Sequence, residues 1–285
     1  MRCKSGASGG LTVAASGKAR ANGRRAIFIT GAASGIGLST AKRFAGGGWF
    51  VGLADIDTKG LASALQAIGP DNGATFRLDV RHRSLWKAEL AAFAKLTNGR
   101  LDVLLNNAGV AKGGYLEAQS ADEVDLQVDV NLKGVLNGCQ AGFDLLCATP
   151  GAMVVNVASV AGVIAPPRMS VYAATKFAVR GLSEALEAEF ARVGVGVRCI
   201  MPWFIDTPLL DKARFSGNED LRVSLRDEKV PVYPVEDVAE AIWAAVHGKP
   251  RLHHFVGSQA KQIGLLNRFL PELVRSRLRR QVEAL

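Results

Sequence analysis

A doubly wound α/β domain, one parallel sheet with helices on both faces, is the fold the sequence predicts. Three observations carry it. Short apolar runs alternate with helix-period segments from Ala26 onward, those runs are continuously apolar, and no internal repeat or interdomain linker interrupts the series. Strands separated by helices of this length join as parallel neighbours through right-handed crossovers. A parallel sheet is covered on both faces, so its strands lose the inside–outside alternation of a half-solvated strand.

The apolar run at residues 26–30 is the first strand, and the segment 35–46 is the helix after it. Residues 50–54 and 58–68 form the second strand and helix, 74–78 and 82–96 the third pair, and 101–106 the fourth strand. A long helical region at 121–147 precedes a fifth strand at 152–157, and a second long helix at 170–192 leads to a sixth strand at 196–200. Residues 235–247 are helical, and Phe255 with its neighbours makes a short last strand. The connection 203–234 is the one long irregular segment, with an apolar half (Trp203, Phe204, Ile205, Leu209, Leu210) and a charged half around residues 218–229. Long loops in compact domains commonly carry function, and at this place in the sheet the expectation is a lid over a substrate.

At 285 residues and 48% hydrophobic content the chain can bury one sizeable core. No uncharged run of about 18 apolar residues occurs, so no spanning helix is expected. The formal net charge of +9 sits at the ends: residues 1–25 and 249–285 each carry +6, leaving −3 for the body. A nucleic-acid face on the body is therefore not expected. Cys3, Cys139, Cys147 and Cys199 form no CxxC, and His82, His247, His253 and His254 show no zinc spacing. No metal site is expected, and reduced thiols in a cytoplasmic protein are the default.

Three segments follow from these patterns. Residues 1–25, rich in Gly, Ala, Ser and basic side chains, read as a disordered leader; Gly6, Gly9, Gly10 and Gly17 argue against the amphipathic helix of a transit peptide. Residues 26–258 are the α/β domain formed by the strand–helix series. Residues 259–285 are a C-terminal extension in which Leu273, Val274, Leu278 and Val282 make an apolar stripe beside Arg275, Arg277, Arg279 and Arg280. Such an amphipathic basic helix either docks on the body or a partner subunit, or touches an anionic membrane weakly.

The first strand runs into Thr30-Gly31-Ala32-Ala33-Ser34-Gly35-Ile36-Gly37. Glycines between a strand and a helix permit a tight turn and let backbone N–H groups approach a pyrophosphate, which the helix dipole favours. Asp55 ends the second strand, where a carboxylate accepts hydrogen bonds from the adenosine ribose and repels a 2′-phosphate. No Arg or Lys lies between Thr30 and Gly37 to attract that phosphate, so NAD is expected over NADP, with Asp57 as the rival carboxylate. Asp79-Val80 and Asn106-Asn107-Ala108-Gly109 follow the third and fourth strands, at the carboxyl ends where this architecture binds ligands. Tyr172 and Lys176 lie four residues apart, on one face of a helix. A cation beside a phenol lowers its pKa from about 10 towards the range of acid/base work.

With these residues in view, the chain closely resembles the short-chain dehydrogenase/reductase family from about Arg25 to His254. The resemblance rests on Thr30-Gly31-x-x-x-Gly35-x-Gly37, Asp55, Asp79, Asn106-Asn107-Ala108-Gly109, Asn131, Ser159 and Tyr172-x-x-x-Lys176. It implies a Rossmann-like sheet of about seven strands, and a homodimer or homotetramer assembled through the long helices around Asn131 and Lys176. It implies cofactor contacts from Gly31, Ser34, Gly35, Ile36, Gly37, Asp55, Asp79, Val80, Asn107, Ala108, Gly109, Tyr172, Lys176, Pro202, Ile205 and Thr207, the last hydrogen-bonding the nicotinamide carboxamide. One departure stands out: where the family commonly has Pro-Gly, this chain has Pro202-Trp203. The indole either narrows the substrate pocket or packs under the loop as core.

The chemistry so implied is reversible hydride transfer between NAD and a secondary alcohol or ketone. Tyr172 handles the hydroxyl proton, and Ser159 stabilises charge on the substrate oxygen. Lys176 binds the nicotinamide ribose and lowers the Tyr172 pKa, and Asn131 holds a water that connects Lys176 to solvent. Trp203 and Phe204 in the apolar half of the lid suggest a hydrophobic substrate: lipid-, steroid- or aromatic-like. Two rivals differ in class. A non-catalytic NAD(H)-sensing scaffold would keep the glycine turn and Asp55 without needing Ser159, Asn131, Tyr172 and Lys176 together. A sugar-nucleotide epimerase needs a larger C-terminal substrate domain than the roughly fifty residues after Val235 provide.

Overall fold

In the computed structural model, residues 19–212, 214–215 and 219–283 are described. β1 (Ala26–Thr30), α1 (Gly35–Gly46), β2 (Phe50–Asp55), α2 (Thr58–Ile68), β3 (Gly73–Arg77), α3 (Arg83–Thr97) and β4 (Val103–Asn106) make the first half. α4 (Ala121–Val128) runs through a π-helical turn (Asp129–Lys133) into α5 (Gly134–Ala148), followed by β5 (Met153–Val157), α6 (Ser170–Ala191) and β6 (Gly196–Pro202). After α7 (Pro208–Lys212), α8 (Leu221–Asp227) and α9 (Val235–His247), β7 (His253–Val256) closes the sheet, and α10 (Ser258–Phe269) and α11 (Pro271–Glu283) end it.

The seven strands are all parallel, in the order β3-β2-β1-β4-β5-β6-β7. Side chains alternate across a strand, and both faces of β1 are buried. Ala26 and Phe28 join a core with Phe50, Phe76, Trp86 and Phe93, while Ile27 and Ile29 join a second core with Phe44, Leu53, Val103 and Leu105. That double burial is the cause of the continuous apolar runs. Strand order reverses direction at β1, whose neighbours are β2 on one side and β4 on the other. The carboxyl ends of β1 and β4 therefore flank a crevice, the topological switch point where such sheets take ligands.

Local signals explain the helix ends. Asp57 caps α2 by accepting from the Gly60 N–H at 3.0 Å, Ser120 and Glu123 form a capping box on α4, and Asn98 ends α3 in a left-handed conformation (φ 54°).

Four expectations need correction. Of the leader, residues 1–18 lie outside the described residues, whereas residues 19–25 are packed: Ala21 donates to the Leu96 carbonyl, and Arg24 bonds Asn72 and the Asp71 carbonyl. Arg25 and Arg100 both pair with the buried Asp102, so the chain is anchored before β1 begins. The connection after β6 is not irregular throughout, since α7 and α8 lie within it and an Ile205–Tyr233 bridge straps its two ends together. β3 begins one residue earlier than its apolar run, and β6 extends to Pro202. The C-terminal extension is two helices, because the backbone turns at Leu270 and Pro271 starts a new helix.

Candidate active site

A cavity of about 940 Å³ occupies the crevice. At one end stand the glycines of the β1–α1 turn. Gly31 (φ +68°) has a backbone that L side chains rarely adopt, and a Cβ there would lie 2.9 Å from Asn107 Nδ2. A Cβ on Gly37 would lie 2.1 Å from the Gly31 carbonyl oxygen, which no side chain tolerates. Ser34 starts α1 in extended conformation without a side-chain cap bond, and the first turn carries no acid. The first-turn N–H groups have no carbonyl within the helix, so the turn presents unneutralised positive potential to the cavity lined by Ser34, Gly35 and Ile36.

The strand ends around it are cross-tied. Asn107 Nδ2 donates to the Thr30 carbonyl at 2.9 Å, while Thr30 Oγ1 accepts from the N–H groups of Asn107 and Ala108 at 3.0 and 3.1 Å. The Asp55 carboxylate accepts from the N–H groups of Ala33 and Asp57, each at 3.1 Å, and faces the cavity. Asp57 lines it too, but its carboxylate caps α2. Asp79 is held by Arg81 at 2.6 Å, and that guanidinium keeps the carboxyl below its usual range. Arg81, also at the cavity wall, drew no attention in the sequence because it stands far from the glycine turn. Val80 is buried beside it.

In the middle of the cavity, Ser159, Tyr172 and Lys176 come together. Ser159 follows β5, its Oγ accepting from the Ala161 N–H at 3.1 Å and hydrogen-bonding the Tyr172 phenol. Lys176 is buried, donates to the Val157 carbonyl at 3.0 Å, and has its Nζ 5.6 Å from the centre of the Tyr172 ring. Burial pushes the Tyr172 phenol above its ordinary value, and the Ser159 hydroxyl partly offsets this. Burial also lowers Lys176 to about 8. Burial dominates both groups, so in this arrangement the phenol stands above its ordinary value, counter to the expected depression by Lys176, whose ammonium places one of its three N–H donors on the Val157 carbonyl.

Asn131 lies in the π turn and is fully buried. Its Oδ1 accepts from the Val110 N–H at 2.8 Å, and its Nδ2 donates to the Val110 carbonyl at 2.9 Å and to Thr175 Oγ1 at 3.2 Å. Together these bonds pin the segment after Gly109 against α6. π turns inside helices are frequent at functional places, and this one brings Asn131 to Thr175, the neighbour of Lys176.

The far end is apolar. Pro202, Trp203, Phe204, Ile205 and Thr207 all line the wall. Trp203 lines the cavity half-buried, its Nε1 without a hydrogen-bond partner among the described residues and its ring edge-on to Phe204 at 5.4 Å. Beyond it, Ala111, Leu210, Leu221 and Leu225 form a small buried cluster against Met169, Tyr172 and Phe204. Arg222 fixes this segment by pairing with Asp206 at 2.7 Å and with Asp211. The last wall residue is Leu278, from α11. The periodicity of the C-terminal stripe left docking and membrane contact open; here Leu278 docks on the body, while Leu273 of the same stripe stays exposed.

The glycine cradle, the acid-free helix start and the Asp55 carboxylate fit a dinucleotide. A family model described as short chain dehydrogenase matches residues 25–216. The chain is 34% identical to SadH of Mycobacterium tuberculosis strain H37Rv over 253 residues, covering 86% of this chain and 91% of that protein. It is 33% identical to the oxidoreductase UcpA of Salmonella typhimurium, covering 76% and 83% of the two chains. Among solved structures, a short chain dehydrogenase/reductase from Burkholderia phymatum in complex with NAD superposes with a TM-score of 0.78 at 28% identity, over 88% of this chain and 95% of that one.

Proposed function

The chain belongs to the short chain dehydrogenase family of oxidoreductases, and from that premise we propose an NAD-dependent enzyme that interconverts a hydrophobic secondary alcohol and its ketone. The observation that carries this reading is the meeting of Ser159, Tyr172 and Lys176 between a phosphate-type cradle and an apolar chamber. Bound NAD supplies the hydride acceptor in one direction and, reduced, the donor in the other. The chain's own residues do the rest. Gly31, Ser34, Gly35, Ile36 and Gly37 take the pyrophosphate. Asp79, Val80, Asn107, Ala108 and Gly109 line the path between the two nucleosides, and Pro202, Ile205 and Thr207 take the nicotinamide side.

Tyr172 takes the alcohol proton during oxidation and returns it during reduction, and Ser159 donates a hydrogen bond to the substrate oxygen where charge develops. Lys176 holds the nicotinamide ribose. Asn131 acts through Val110 and Thr175 as a positioning residue. The NAD preference rests on Asp55, because Arg81, the nearby cation at that end, is committed to Asp79. The hydrophobic substrate class rests on Trp203, Phe204 and the Leu210–Leu225 cluster. Cytoplasmic location and assembly of two or four copies through α5 and α6 complete the reading; among the described residues no helix is long and apolar enough to cross a membrane.

The test is NAD reduction, read as absorbance, across a panel of hydrophobic secondary alcohols, with NADP in parallel. Turnover with NAD exceeding that with NADP is expected. Dinucleotide binding without turnover on any alcohol or ketone would favour the sensing scaffold, and equal efficiency with NADP would remove the role given to Asp55.

A further inference from the structure

The corner between α10 and α11 carries a surface that the reaction does not use. On α10, Lys261, Gln262, Leu265, Arg268 and Phe269 are exposed, one stripe at helical spacing. After the turn, Leu270, Leu273, Arg277 and Arg280 continue it on α11. Leu265 is 62% exposed, Phe269 68%, Leu270 52% and Leu273 40%. Such side chains, crowded within nine residues, are not the scattered apolar exposure of an ordinary surface.

The opposite face is fixed to the body. Ala260 and Val274 are buried, Gly264 packs on Phe255, Asn267 Nδ2 donates to the Val163 carbonyl at 3.0 Å, and Leu278 enters the cavity wall. The inward stripe of Val274 and Leu278 thus belongs to the fold, while the outward apolar residues Leu265, Phe269, Leu270 and Leu273 stay exposed, with Arg268 over the Phe269 ring at 5.7 Å from its centre. Residues 258–283 carry six basic side chains against two acidic ones. A twofold contact between two copies through this corner would set two such patches face to face, and like charges oppose it. An anionic, apolar-cored surface satisfies both features at once.

We propose that the α10–α11 corner docks on an anionic lipid membrane. Leu265, Phe269, Leu270 and Leu273 enter the headgroup–acyl boundary, while Lys261, Arg268, Arg277 and Arg280 contact the acidic headgroups. The docking is interfacial, since neither helix is long and apolar enough to span. Leu273 and Leu278 are about 7.5 Å apart along α11, at 1.5 Å per residue, so the docked face lies beside one wall of the cavity. A hydrophobic substrate can then pass between bilayer and chamber. That last step rests on the proposed substrate class; the docking itself does not.

The experiment is co-sedimentation of the full chain with vesicles of phosphatidylcholine alone and of phosphatidylcholine mixed with phosphatidylserine, at low and high salt. We expect binding to the anionic vesicles, on the order of tenfold weaker at high salt. Phe269→Ser/Leu270→Ser should lose at least that factor at low salt, with melting temperature and cofactor affinity unchanged. Wild-type protein that stays in the supernatant with anionic vesicles overturns the proposal. Binding unaffected by Phe269→Ser/Leu270→Ser overturns it as well, by reducing the contact to charge that any polyanion would satisfy. A lower oligomer mass of this variant in light scattering, with vesicle binding intact, assigns the corner to a second subunit instead.

Discussion

The two ends of the cavity are made of different material. At the cofactor end, Gly31, Gly35 and Gly37 let backbone approach backbone, and Thr30, Asn107 and Asp55 tie adjacent strand ends through hydrogen bonds near 3 Å. At the substrate end the wall is made of side chains: Trp203, Phe204, Leu210 and Leu225 come from the connection after β6, which carries α7 and α8, and Leu278 from the last helix. Sterically closed geometry can be broken by one methyl group. Side-chain walls can be trimmed and refilled, so substitutions there should retune the pocket and leave the fold standing.

Lys176 lies between the two ends and offers the largest contrast. Its folded-state pKa of about 8 is below the ordinary lysine value of 10.5, so the buried ammonium disfavours the fold below pH 8, and this penalty fades as pH rises from 8 to 10.5. Relative to Lys176→Met, the wild type should gain stability over that window, on the order of 3 kcal/mol if completed. Denaturant titrations of both proteins between pH 7 and 9.5 would show the gain; parallel curves would contradict the burial argument. Next, Gly37→Ala at the cofactor end should reduce dinucleotide affinity roughly 100-fold, because the Gly31 carbonyl must move. Isothermal titration with NADH measures it, and an unchanged Kd would refute the closed geometry.

Asp55→Ala is milder, since it removes a carboxylate from a wall and leaves the turn's steric fit. The ratio of kcat/KM for NAD over NADP should fall about tenfold, close to one charge interaction at a partly solvated site. The smallest effect belongs to the substrate end. Leu278→Ala should raise KM for a bulky hydrophobic alcohol roughly fivefold and leave kcat and NAD affinity nearly unchanged. A collapse of kcat would mean that α11 supports the catalytic groups as well as the wall.

The same contrast decides what the amino-acid sequence can disclose. α1, α2 and α9 begin and end where their periodicity and flanking residues indicate, and the glycine turn, Asp55, Ser159, Tyr172 and Lys176 all reach one cavity. Each of these is specified within a few residues of chain or by a fixed strand-end position. The Asn131 hydrogen bonds, the Asp79–Arg81 pair and the Arg222 clasp depend on which backbone atom or side chain faces which, and spacing is silent on that. The C-terminal stripe left docking on the body, docking on a partner and membrane contact open, and only the fold shows that Val274 is buried and Leu278 reaches the cavity. Pro271 was the readable clue that one helix would become two.

The central claim is that Tyr172 moves the substrate proton at a site whose cofactor end is built independently of it. Tyr172→Phe tests this most directly, with NADH affinity and alcohol turnover measured on the same preparation. The account predicts a Kd for NADH within about threefold of wild type and turnover lower by roughly 10²- to 10⁴-fold. Turnover within tenfold of wild type, with NADH still bound, would contradict it.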